Sequence, residues 1–225
     1  MDPVTVRWSR ASLELGAMLL TGAAHLFFES ILNAKAIFIP VAGFLWAVYF
    51  FRRVRKDPGV LRKWGFRSDN LLQAFRVVGG VSILAAVAVG LLAFYLGNSL
   101  WTPSLLWMFL LYPVWGLVQQ FLLQALVARN VAELTGSGIA ATGITAVLFG
   151  TVHAPDWVLC GLTFALALFF VPLYFRIRNL YPLGLFHGWL GAMVYIGILG
   201  RDPWTEVLGA CENIIASFSC LIGGP

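Results

Sequence analysis

Three glutamines, Gln119, Gln120 and Gln124, interrupt an apolar run from Tyr112 to Glu133, YPVWGLVQQFLLQALVARNVAE. The run is apolar enough to cross a membrane. Amides in hydrocarbon require hydrogen-bond partners, so the helix that carries them must face protein. Two histidines follow in similarly apolar surroundings, His153 and His187. A desolvated neutral imidazole accepts a proton, so either histidine could serve as a base. A further pair, His25 and Glu29, is spaced four residues apart and lies on one helical face. It is either a carboxylate source for His153 or a boundary pair bonded locally. The glutamines and His187 also have a plainer reading, as interhelical hydrogen bonds that hold a bundle. His153 has one too, as a cap before Pro155.

The elements that must position these groups are apolar helices. The 225 residues are 60% hydrophobic and 11% charged, and the mean hydropathy is +0.86. Long apolar runs separated by short charged loops specify a polytopic helical membrane protein. The runs do not alternate as barrel strands would. The expected spans are Ser12 to Ile31, Ala36 to Phe51, Val77 to Leu96, Leu105 to Val127, Ile139 to Val152, Trp157 to Phe175 and Tyr181 to Leu199. Asp57 to Arg76 is basic and amphipathic and reads as a helix lying in the interface. The tail from Arg201 to Pro225 is either an interfacial helix or an eighth span. The fold class is all-α: one polytopic transmembrane helical bundle of seven or eight spans, residues 1–225, with no separate soluble domain.

Charge fixes the expected orientation. With the N-terminus inside, 13 of the 15 Lys and Arg fall on the inner side, and only Lys35 and Arg201 outside. This is the positive-inside pattern, and it places the N-terminus in the cytoplasm, of a bacterial plasma membrane on this reading. The net charge of +5 thus reflects topology and lipid headgroups, and nucleic acid is not an expected partner. The start of the chain lacks a cleavable signal pattern, so the first run is expected to be retained. Cys160 is expected to be inert within a helix, while Cys211 and Cys220 could pair if the tail is outside. Trp101, Trp107, Trp157 and Trp204 lie near span ends, as in an aromatic belt.

Several chemistries are excluded by motif. The sequence holds no HExxH zinc site, no GxSxG serine elbow, no Gly-rich phosphate loop and no mid-span aspartate pair. No metal and no cofactor is expected.

What remains is an order of motifs: Gln119-Gln120-xxx-Gln124, then Phe149-xxx-His153, then His187 early in a helix opened by Tyr181-Pro182. This order resembles the CPBP family, the CAAX prenyl proteases of the Rce type and the bacteriocin-processing or immunity proteins also called Abi. The resemblance covers roughly Trp107 to Tyr195, within a core from 105 to 199. It implies an intramembrane peptidase whose first motif is Glu-Glu-xxx-Arg, second Phe-xxx-His and third His-xxx-Asn. Carried onto this chain, Phe149, His153 and His187 keep their types. Gln119 and Gln120 stand at the glutamate positions, Gln124 at the arginine and Gly191 at the asparagine. The resemblance makes Gln119, Gln120, His153 and His187 the candidate catalytic residues. Gln124, Phe149, Gly191, His25 and Glu29 are the candidate binding residues. A hydrophobic or lipidated peptide and membrane lipids are the implied partners.

The departures have a chemical meaning. In the family a glutamate activates water; an amide cannot take a proton from it. Loss of a general base lowers a rate by roughly 10²–10⁴. The arginine is lost with the carboxylates, so no buried cation is left unpaired. Function is therefore expected to be peptidase-like action on a membrane-associated peptide or lipid-linked substrate. The alternatives are non-catalytic binding, as an immunity, chaperone or assembly factor, and a lipid or isoprenoid enzyme using histidine acid–base chemistry. Helical rise puts His153 about 20 Å from Gly138 but His187 only about 9 Å from Tyr181. One site holding both therefore requires the fifth span to start deep or tilt.

Overall fold

The computed structural model describes residues 3–32, 34–202, 205 and 209. Cys211, Cys220, Trp204 and most of the tail lie outside the described residues. Within them the chain is helical: α1 Pro3–Ser30, α2 Lys35–Lys56, α3 Val60–Trp64, α4 Leu71–Tyr95 and α5 Leu105–Gln120. A π turn, Phe121–Ala128, joins α5 to α6 Arg129–Thr135. Then come α7 Gly138–Thr151, α8 Trp157–Ile177, α9 Leu180–Met193 and a second π turn, Val194–Ile198.

Five helical stretches have the length and composition of membrane spans: Arg10–Ser30, Ala36–Lys56, Leu71–Tyr95, Leu105–Thr135 and Trp157–Ile177. Their outward faces carry Leu, Ile and Phe side chains such as Leu20, Leu84, Leu91 and Phe94, all exposed. In water this exterior would drive aggregation; in lipid it is the expected solvent face. Trp101, Trp107 and Trp157 are exposed as well. α7 is apolar but shorter than the five. The short fifth run, expected from Ile139 to Val152, is α7, and the seventh, expected from Tyr181 to Leu199, is α9 continued by the second π turn to Ile198.

Lipid tails are as apolar as leucine, so packing here rests on van der Waals contact and hydrogen bonds. The closest seam lies between α5 and α9. A Cβ on Gly184 would stand 2.6 Å from Leu117 Cα, and one on Gly188 2.6 Å from Pro113 Cα. Gly116 on α5 faces both. Only residues without a Cβ permit this approach. α7 meets α8 in the same way, where a Cβ on Gly150 would lie 2.9 Å from the Cys160 carbonyl oxygen. Ser137, Asp156 and Asn179 cap α7, α8 and α9 by accepting from Ala140, Leu159 and Tyr181 amides.

Asp57 to Arg76 is not the single interfacial helix that its pattern predicts. Gly65, at φ 100°, ends α3, and Leu71 to Arg76 open α4 instead. Trp64 is fully buried, stacked on Phe50 at 5.5 Å and edge-on to Phe121 at 4.9 Å. The loop is tied to the α8–α9 junction: Leu180 donates to the Gly65 carbonyl at 2.8 Å and Asn179 to the Arg67 carbonyl at 2.8 Å. Asn70 donates to the Ile177 carbonyl at 2.7 Å. Trp64 and Phe66 turn into the bundle because Phe50 of α2 and Phe121 of the first π turn are there to receive them, while Leu72 stays exposed.

Candidate functional site

The α5–α9 seam brings Gln119 to His187. His187 Nε2 lies 2.8 Å from Gln119 Oε1, and His187 is 8% exposed. With the amide oxygen accepting, Nε2 carries the proton and Nδ1 keeps its lone pair. Nδ1 is buried and makes no hydrogen bond.

His153 reaches the same place from α7. Its Nδ1 stands 2.7 Å from the carbonyl oxygen of Phe149. A carbonyl only accepts, so Nδ1 donates and Nε2 of the neutral ring holds the lone pair. The Phe149 ring lies between the histidines, edge-on to His153 at 5.0 Å and tilted against His187 at 5.6 Å. Thr163 on α8, absent from the sequence reading, donates to the Phe149 carbonyl at 3.3 Å and to the Leu159 carbonyl at 2.7 Å. Nothing in the sequence marks it, since a threonine back-bonding in a helix is ordinary.

Gln120 and Gln124 form a different pair. Both have no exposed surface, and Gln124 Nε2 donates to Gln120 Oε1 at 2.9 Å. Gln120 Nε2 and Gln124 Oε1 are buried without partners. Gln124 sits inside the first π turn, which starts directly after Gln120. So the three glutamines divide: one bonds His187, and two bond each other.

Gly191, at the asparagine position, lies one turn beyond His187. The room for a side chain there is taken by Tyr112, whose ring atoms come within 3.3 Å of a built Cβ. On α1, Gly22 faces Val152 at 3.3 Å from a built Cβ. His25 lies one turn further on the same face of α1. Its ring also meets Phe38 at 5.9 Å. Glu29 follows His25 by four residues toward the same end of α1. Asp156 beside His153 pairs with Arg201 at 3.1 Å.

A second polar cluster was not read from the sequence. Glu14 is buried and accepts from Arg129 Nη2 at 3.1 Å, Asn130 Nδ2 at 2.8 Å and the Tyr49 hydroxyl. Its signals were an acid within the first span and Arg129, the one cation between the fourth and fifth spans. Among the described residues, no three His, Cys, Asp or Glu side chains converge as a metal site would require.

Residues 99–193 match the family model described as Type II CAAX prenyl endopeptidase Rce1-like. No match to the chain was found among curated proteins or among solved structures. The matched stretch contains all three motif positions and every helix that supplies the Gln119, His153 and His187 cluster. Over residues 99–193 the chain is thus similar to the Rce1-like CAAX prenyl endopeptidases.

Proposed function

We propose that this membrane protein of CPBP type holds a hydrophobic or lipid-modified peptide at Gln119, His153 and His187, without hydrolysing it by a carboxylate mechanism. One observation carries the reading. His187 Nε2 is bonded to a neutral amide at 2.8 Å, where hydrolysis needs a group that takes a proton from water. The mutual bond of Gln120 and Gln124 supports it, since it makes the glutamate and arginine positions a neutral pair. In this reading the chain crosses a bacterial plasma membrane seven times through α9, with its N-terminus in the cytoplasm. The charge distribution supports that orientation.

A second reading, cleavage with a histidine base, is favoured by His153. The bond from its Nδ1 to the Phe149 carbonyl leaves Nε2 as an acceptor.

The test uses the full chain in nanodiscs with a farnesylated, photoactivatable peptide, reading crosslinking and cleavage together. Binding without cleavage predicts a saturable crosslink weakened in His187→Ala and no product from the native chain. Product formation lost in both His153→Ala and His187→Ala would establish the second reading. No saturable crosslink and no product would overturn both. Gln120→Glu with Gln124→Arg restores the family's charges, and cleavage gained in that variant would identify an inherited peptidase cavity.

A further inference from the structure

A cavity of about 700 Å³ opens in the bundle, and neither Gln119 nor His187 lines it. It is framed by the start of α1, the ends of α2 and α8, and α6. Five cations line it, Arg10, Arg53, Lys63, Arg129 and Arg178, against three acids, Glu14, Asp57 and Glu133. Two cations are matched: Arg129 to Glu14 at 3.1 Å and Lys63 to Asp57 at 3.0 Å. Among the described residues Arg10, Arg53 and Arg178 make no ion pair within 4.0 Å, although Arg53 also faces Tyr49 and Asp57. Arg53 Nε is buried without a hydrogen-bond partner.

Arg178 adds an independent observation. It ends α8 at φ 49°, and among the described residues it alone has a positive φ without being glycine. Glycine is the residue that this conformation favours, and a Cβ there is sterically opposed. An arginine at this turn places a guanidinium at the cavity rim at the expense of the backbone.

We propose that the cavity binds the phosphate of an anionic membrane lipid. Guanidinium forks match phosphate oxygens in pairs, and several converging forks favour phosphate over a single carboxylate. Size selects the source. A free phosphate would leave most of the volume unfilled, whereas a headgroup with its glycerol occupies it. Ala11, Val60 and Phe175 offer that glycerol and the first acyl carbons an apolar wall. Basic pockets between spans are suited to such headgroups on the inner leaflet, where anionic lipids gather. This site is separate from the peptide-holding reading, and either can fail without the other.

The experiment is native mass spectrometry of the full chain in detergent, titrated with dioleoylphosphatidylglycerol, dioleoylphosphatidylcholine or inorganic phosphate. The expected result is retained phosphatidylglycerol, with affinity lowered about tenfold or more in Arg53→Gln and in Arg178→Gln. Arg62→Gln, an exposed cation paired with Asp69 outside the cavity, should bind as the native chain does. Arg178→Gly guards against a folding artefact: it relaxes the left-handed turn, so thermal stability should hold or rise while lipid retention falls. Equal retention of both lipids, or Arg178→Gly binding like the native chain, would overturn the proposal. Inorganic phosphate that binds as tightly and displaces the lipid would overturn the lipid source.

Discussion

His187 and Gln119, 68 residues apart in sequence, share a 2.8 Å hydrogen bond at the seam where α9 meets α5. The bond exists because Gly184 and Gly188 bring the α9 backbone onto Leu117 and Pro113. It joins an imidazole to a neutral amide across two helices.

That pairing predicts a coupled loss. Gln119→Leu and His187→Leu should each lower stability by about 1 kcal/mol, the scale of buried hydrogen bonds between membrane helices. The double variant should lose clearly less than the two together, because either change alone already breaks the bond. Unfolding of the four proteins in mixed micelles gives the cycle, and additive losses would refute the coupling.

The glycine seam predicts a sharp split among Gly→Ala variants. Gly184→Ala and Gly188→Ala force backbone apart and should cost about 1–3 kcal/mol. Gly143→Ala and Gly161→Ala meet nothing within 4 Å. They should be neutral or stabilising by about 0.5–1 kcal/mol through helix propensity. Thermal unfolding in one detergent ranks all four. Crosslinking of the farnesylated peptide should fall only in the seam variants, since only these displace His187 from Gln119.

The loop between α3 and α4 gives a pH prediction outside the membrane. Hydrogen bonds from the Arg67 guanidinium, at 3.0 and 2.7 Å, hold the Asp69 carboxyl down to about 2. A depressed carboxyl stabilises the folded loop above its unfolded value, near 3.9, and that contribution fades as pH falls toward about 2. A carboxyl-detected NMR titration should place the Asp69 midpoint near about 2. Arg67→Gln should move it upward toward the usual carboxylate range, leaving a residual depression from Arg62.

Much of this architecture is legible from sequence because lipid imposes simple rules. Long apolar runs must be helical, since no water satisfies their backbones. The motif order found Gln119, Phe149, His153 and His187, and those four do meet. Other features have no sequence signature. Whether an amide bonds a histidine or the next amide depends on a rotation of about 100° between neighbours, and only packing decides it. The segment after α2 has the pattern of an interfacial helix because charge and aromatics alternate there. Gly65 and the waiting rings of Phe50 and Phe121 turn it inward instead. Glu14 escaped because its partners, Tyr49 and Arg129, come from two other helices.

The π turn at Phe121–Ala128 has a consequence for how this helix can change over generations. Upstream, Gln119 must address α9; downstream, Arg129 and Asn130 must address Glu14 on α1. A widened turn between them sets the angular phase of one half against the other. Substitutions within it can be absorbed one at a time. Loss of a single residue cannot, because tightening the turn would swing Arg129 and Asn130 off α1 while Gln119 stayed in place. The glutamine end and the arginine end are thus free to diverge in chemistry, yet bound to keep a fixed count of residues between them.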